Sequence, residues 1–299
     1  LGNSLISMCE ELFWVNHHSH CNFCDGSDEP EAYVMAAISD RFAGYGFSSH
    51  APVPGRNVAW AMRLEKLSDY LKEVRRLREQ YADRLSLALS LEVDFVPGVI
   101  GPSSPHIKAC GLDYTIGSVH FVDVLPDGSG WEIDGSEDLF RTGVDSLFEG
   151  DVKAAVRRYH ALTRQMLVED RPDVVGHVDK IKMHNTDFRY FDPADRWYRD
   201  EFAATLEAVA ASGAIMEVNT RGMYRGKTPF PYPGPWALRM AKRLKIPVHL
   251  SSDAHRPDEL QKDFGTAARV ILAAGYTECR VYVDSQWQDV RITHNGYMR

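Results

Sequence analysis

No stretch of this 299-residue sequence approaches the roughly 20 consecutive apolar residues that cross a bilayer. Its first residues also lack the basic-then-apolar pattern of a secretory leader, so no membrane partner is expected. Cysteine is sparse: Cys9, Cys21, Cys24, Cys110 and Cys279 are odd in number and scattered. That excludes a disulfide framework and favours a reducing compartment, the cytoplasm. Cys21-x-x-Cys24 has no second cysteine pair to complete a zinc motif and reads as two free thiols near a site. Basic blocks are missing as well, and the formal charge is −8. Nucleic acid is therefore not an expected partner, but a small anionic substrate is compatible with a local positive site supplied by metal ions. Internal repeats, low-complexity tracts and long linkers are absent, so residues 1–299 are expected to form one domain.

What is present is an ordinary globular composition, 44% hydrophobic and 25% charged, arranged as short β-like runs between longer helical patterns. Strands are expected at Leu12–His17, Gly44–Ser49, Leu85–Phe95, Tyr114–Val119, Asp173–Val175, Ala214–Val218 and Pro247–Ser251. Helices are expected from Pro30, over Ala59–Gln80, Asp145–Glu169, Phe202–Ala211 and Pro235–Leu244, with Gly128–Asp134 as loop.

The chemistry-bearing residues fall at the ends of these strands. His18 and His20 follow the first, His50 the second, and Glu92 lies near the end of the third. His120, His177 and the pair Asp253 and His255 follow later strands. In a parallel α/β barrel the C-terminal strand ends share one face, so residues distant in sequence meet there. His18-x-His20 on extended backbone puts both imidazoles on one side, and Asp253-x-His255 repeats that geometry with one oxygen ligand. Imidazole with carboxylate suits zinc, manganese or iron, and Glu92 has two oxygens with which to bridge two ions. The other histidines (His17, His106, His160, His184, His249 and His294) read as structural or surface residues. Lys182, Arg221 and Arg225 each follow a strand and are candidate phosphate contacts; Trp131 and Asp134 are candidates for the organic part of a substrate.

The motifs His18-Ser-His20, Cys24-Asp25-Gly26, Gly46-Phe-Ser-Ser-His50 and Leu91-Glu92-Val-Asp94 resemble those of the polymerase-and-histidinol-phosphatase (PHP) family. So do Gly117-Ser-Val-His120-Phe, Gly176-His177-Val-Asp179, Glu217-Val-Asn219-Thr220 and Ser252-Asp253-Ala-His255. The Gly-Ser-Val-His-Phe and Glu-Val-Asn-Thr segments are most similar to its histidinol-phosphate phosphatase branch. The resemblance implies a distorted, TIM-like (β/α)7 barrel and a metal-dependent phosphomonoesterase with two or three divalent ions (Zn, Mn or Fe). It implies that His18, His20, Glu92 and Asp253 hold one ion, and that Glu92, His120 and His177 hold a second. Asp25, His50 and His255 would hold a third, with Asp25 standing where many members have histidine. Glu92, Asp253 and His255 are the implied catalytic positions, ligation and proton transfer competing for the last two. A phosphoesterase acting on another ester or on nucleic acid, or a non-catalytic metal-binding module, would be the alternatives.

Overall fold

Seven parallel strands carry the architecture: β1 (Val15–Asn16), β2 (Gly44–Phe47), β3 (Ser86–Asp94), β4 (Tyr114–Ser118), β5 (Val174–Val175), β6 (Ile215–Asn219) and β7 (Val248–Ser251). The computed structural model describes residues 11–56 and 58–298, so Cys9 lies outside the described residues. Each strand pairs with its successor in chain order, from β1 through β7. Beyond the strand ends the ring closes: His20 N donates to Ala254 O at 2.8 Å and Ala254 N donates to His18 O at 3.2 Å. The result is a nearly closed, distorted barrel.

Helices return the chain between strands, as parallel pairing requires. Pro30–Ser39 follows β1, Leu67–Gln80 follows β2, and Val152–Glu169, Arg196–Ser212, Pro235–Arg243 and Phe264–Ala273 follow later strands. The Leu67–Gln80 helix buries Tyr70, Val74 and Leu77, one face at helical spacing. Strand β3 is buried along almost its whole length, as a strand covered on both faces must be. Inside the barrel space is tight. A Cβ on Gly46 would stand 2.2 Å from the Tyr114 hydroxyl, so that position admits only glycine.

Four local expectations change. The first predicted strand breaks at Trp14: Leu12–Phe13 joins a separate antiparallel sheet, and only Val15–Asn16 enters the barrel. The predicted Asp145–Glu169 helix divides at Glu149 and Gly150, both at positive φ, and restarts where the Asp151 side chain accepts from Lys153 N. Gly128–Asp134 contains strand Gly130–Glu132, hairpinned onto Phe121–Val124. Ala59–Arg63 lies outside the helix that was expected to begin there.

Residues 278–298 form a hairpin-rich addition. Glu278–Val283, Gln286–Thr293, Gly296–Met298 and Leu12–Phe13 make a four-stranded antiparallel sheet. Tyr282 and Trp287 from this sheet lie 5.5 and 5.3 Å from the ring of Tyr114, at the N-terminal end of β4. The barrel floor is closed by aromatic packing, and the opposite rim is left for chemistry.

Candidate metal centre

At the C-terminal rim, alternation along extended backbone places His18 and His20 together, and β3 delivers Glu92 between them and the later histidines. His18 Nε2 lies 3.2 Å from Glu92 Oε2 and 3.6 Å from Asp253 Oδ1. His20 Nε2 lies 3.4 and 3.1 Å from the same two oxygens. The other oxygen of Glu92 faces a different pair: Oε1 is 2.9 Å from His177 Nε2 and 3.6 Å from His120 Nε2, and those nitrogens are 3.3 Å apart. A tetrahedral ion with bonds near 2.0–2.1 Å spaces its ligands about 3.4 Å apart. Both groups have that spacing.

A third group lies toward the mouth. Asp25 Oδ2 is 3.2 Å from His255 Nε2, and its Oδ1 is 3.9 Å from His50 Nε2. The other nitrogen of His50, Nδ1, lies 3.1 Å from Glu92 Oε2, so this ring stands between Asp25 and Glu92. The potential ligand atoms of His20, Asp25, His50 and His255 all fall within 4.8 Å of one another. The same holds for His18, His20 and Asp253, and for His50, Glu92 and His120.

The chemistry of this donor set fits divalent cations. His18 Nε2, His20 Nε2 and His50 Nδ1 are buried and have no hydrogen-bond partner among the described residues. Such orphaned nitrogens are costly unless something coordinates them. Burial lowers His20, His50 and His177, but at His18, where burial also opposes charging, Glu217, Asp253 and Glu92 raise the pKa well above its ordinary value. Burial likewise opposes charging His120, and Asp94 and Asp134 still raise it to about 9. Protons and metal ions compete for the same atoms, so a site that attracts one attracts the other.

Two carboxylates behind the histidines set their tautomers. His18 Nδ1–H donates to Glu217 Oε1 at 2.5 Å, and Glu217 Oε2 accepts from His177 N at 2.6 Å and from Asn219 Nδ2 at 3.1 Å. Burial works against the Glu217 charge, but His18 and His177 hold it down to about 2. Asp94 accepts from both the backbone N and Nδ1 of His120, each at 3.0 Å. In both histidines Nε2 is thereby left as the lone-pair nitrogen that faces Glu92. Asp253 sits at φ 52°, a left-handed conformation that short polar side chains tolerate, and Asn219 Nδ2 donates to its Oδ2 at 3.2 Å.

Above the donors lies a cavity of about 280 Å³. Of the proposed substrate contacts, Arg221, Arg225 and Asp134 line it. Arg221 Nη1 donates to Asp253 O at 3.0 Å, which anchors its guanidinium beside the centre.

Lys182 and Trp131 do not line this cavity. Lys182 Nζ donates to Asp179 at close range and lies over the Tyr232 ring, facing a different cavity. Trp131 is wholly buried, its Nε1 donating to Leu139 O, and it packs on Phe140 and Phe148. The residues that take their places are Lys180 and Trp60, neither of which sequence reasoning selected. Lys180 Nζ lies 2.9 Å from Asp134 Oδ2 and 3.5 Å from His120 Nε2. Trp60 packs on His50 and donates from Nε1 to Glu132 Oε2 at 3.0 Å. Burial opposes the charges of Asp134 and Lys180, yet each holds the other ionised, the carboxyl well below and the amine above its usual value.

A parallel barrel with imidazoles and carboxylates gathered at its C-terminal rim defines a class of divalent-metal proteins. Residues 16–221 match the PHP domain family, and the chain belongs to that family. A Deinococcus radiodurans protein named "probable histidinol-phosphatase" is 32% identical over 260 residues, which cover 86% of this chain and 92% of the relative. The Bacillus subtilis histidinol-phosphatase is 26% identical over 257 residues, covering 81% and 94% of the two chains. Among solved structures, histidinol phosphate phosphatase from Lactococcus lactis, complexed with zinc, L-histidinol and phosphate, superposes with a TM-score of 0.68 at 21% identity. That likeness covers 93% of this chain and all of the other, and it supports the fold.

Proposed function

We propose that this chain is a metal-dependent phosphatase that hydrolyses L-histidinol phosphate to L-histidinol and phosphate. The observation that carries the reading is Glu92, whose two oxygens face two separate sets of histidine nitrogens at ligand spacing. The histidinol-phosphatase names of the two relatives supply the substrate. In this reading His18, His20, Glu92 and Asp253 hold one ion, Glu92, His120 and His177 a second, and Asp25, His50 and His255 a third. Zinc, named with the Lactococcus structure, heads the candidates, and manganese and iron suit the same nitrogen–oxygen donors.

When bound, the ions supply a hydroxide from water near neutral pH and neutralise phosphoryl oxygens. The chain's own groups do the remainder. Arg221, held by its bond to Asp253 O, and Arg225 at the mouth bind phosphate oxygens through planar guanidinium forks. Proton transfer at Asp253 Oδ1 and His255 Nε2 competes with ligation, because each atom offers one lone pair to the centre and can hold a proton only while it is not ligating. Trp60 and Glu132 form an aromatic and acidic wall suited to a cationic alcohol. Location in the cytoplasm belongs to the same reading, supported by free thiols at Cys21, Cys24, Cys110 and Cys279.

The test compares phosphate release from L-histidinol phosphate, a generic phosphomonoester and DNA ends, with zinc-loaded and chelator-treated protein. Histidinol phosphate should be hydrolysed fastest, and chelation should abolish turnover until metal is restored. Equal rates on histidinol phosphate and the generic ester would reject the substrate assignment; undiminished turnover in chelator would reject the metal mechanism.

A further inference from the structure

Lys180 is a buried cation in a cavity whose floor is built to hold other cations. It is 8% exposed and extends from the turn after β5, on the side occupied by His120 and His177. Arg221 and Arg225 reach the same cavity from the segment after β6. A lysine placed there raises the local positive charge that metal ions also bring, which is unfavourable unless anions offset it. Asp134, 2.9 Å away, offsets one charge and takes one of three N–H donors. The contact to His120 Nε2, at 3.5 Å, is long and directed at an atom that already faces Glu92. Donor capacity is left over, and it borders the cavity.

We propose that Lys180 binds the phosphoryl group from the His120 side of the cavity that Arg221 and Arg225 also line, with Asp134 as the residue that positions its ammonium. This rests on the phosphatase reading and adds a third phosphate contact to it. The neighbouring lysine provides an internal control. Lys182 carries the same charge two residues away, but its ammonium is turned to Asp179 and the Tyr232 ring.

The experiment measures inhibition by inorganic phosphate, together with KM and kcat, for zinc-loaded Lys180→Met, Lys180→Arg and Lys182→Met proteins. Zinc content is measured on each. Lys180→Met should weaken phosphate inhibition and raise KM by about tenfold or more, the loss of one charged contact. Its zinc content should match the parent. Lys180→Arg should recover most of the affinity and Lys182→Met should keep it. Where Lys180→Met fails to fold, Lys180→Gln, which keeps a hydrogen bond to Asp134 without the charge, carries the same expectation. Unchanged phosphate inhibition in the neutral variants, or an equal loss in Lys182→Met, overturns the assignment. Failure of the phosphatase reading looks different: the parent would bind phosphate, measured by calorimetry, yet release none from any ester.

Discussion

Glu92 concentrates the chemistry of the rim in one side chain. Its Oε2 faces His18, His20 and His50 while its Oε1 faces His120 and His177, and Ser118 Oγ donates to Oε1 at 2.6 Å. Glu92→Gln keeps the shape but replaces one oxygen with an amide that does not ligate well. Turnover should fall on the order of a thousandfold, about 4 kcal/mol of transition-state stabilisation, with reduced metal content by elemental analysis. Parent-like metal content and rate would remove Glu92 from the bridge. Glu217→Gln acts one step further back, by releasing His18 Nδ1. Metal affinity should drop about 10–100-fold in chelator competition, the range for residues that orient a ligand. Arg221→Ala should raise KM more than it lowers kcat; unchanged kinetics would return Arg221 to structural duty.

The same scale explains which site residues were legible. Histidines and acids announce themselves after strands because few other roles require them there. Lys180 and Trp60 gave no such signal. After β5 the chain makes a tight turn, Lys180 N donating to His177 O, so the residue three after His177 shares its side. Asp179 and Lys182, also three apart, pair with each other. Trp131 was misplaced by one step of a strand: Gly130–Glu132 alternates, so Trp131 enters the core and Glu132 faces the cavity. A turn phase and a hairpin register were the missing facts.

Among elements, the seven barrel strands were readable because short buried runs alternate with helical patterns and most of them end on a ligand-type residue. The C-terminal sheet was not, since Gln286–Thr293 alternates only partly and its partner Leu12–Phe13 lies at the other end of the sequence. The helix pair Val152–Glu169 and Arg196–Ser212 carries a prediction of its own. His160 is wholly buried between them, its Nδ1 beside Thr205 Oγ1 at 3.2 Å and its Nε2 without a hydrogen-bond partner among the described residues. Burial, aided by Arg164, lowers its pKa from 6.5 to about 3. Between those values the unfolded chain binds a proton that the folded one does not. The stability due to neutral His160 is therefore complete above pH 6.5 and is lost as pH falls toward 3, by up to about 1.4 kcal/mol per pH unit. In metal-free protein, His160→Leu should flatten the fall in urea midpoint between pH 7 and 5. An unchanged slope would place the acid sensitivity in other histidines.

At the scale of the molecule, the barrel is held at both ends by different means. Rim closure is backbone pairing between His18–His20 and Ala254, next to the metal ligands themselves. Floor closure is aromatic: Tyr114 donates from its hydroxyl to His17 O at 2.6 Å and packs against Tyr282 and Trp287, while His17 stacks on His249 at 5.2 Å. The added sheet also shares the main core, with Val281, Ile292 and Tyr297 packed alongside barrel residues such as Val15 and Leu250. We therefore propose that residues 1–299 unfold as one unit. In metal-free protein, denaturant transitions followed by tryptophan fluorescence and by far-ultraviolet circular dichroism should coincide. Tyr114→Ala, which opens the floor and removes a buried ring, should shift both together by about 3–5 kcal/mol. The folded variant keeps every proposed ligand and should still take up zinc to the parent's stoichiometry, with affinity lowered through the lost bond to His17 O, next to His18. A variant that lost the sheet's signal first, and the barrel's only later, would divide the chain into two units and break the link between floor and rim.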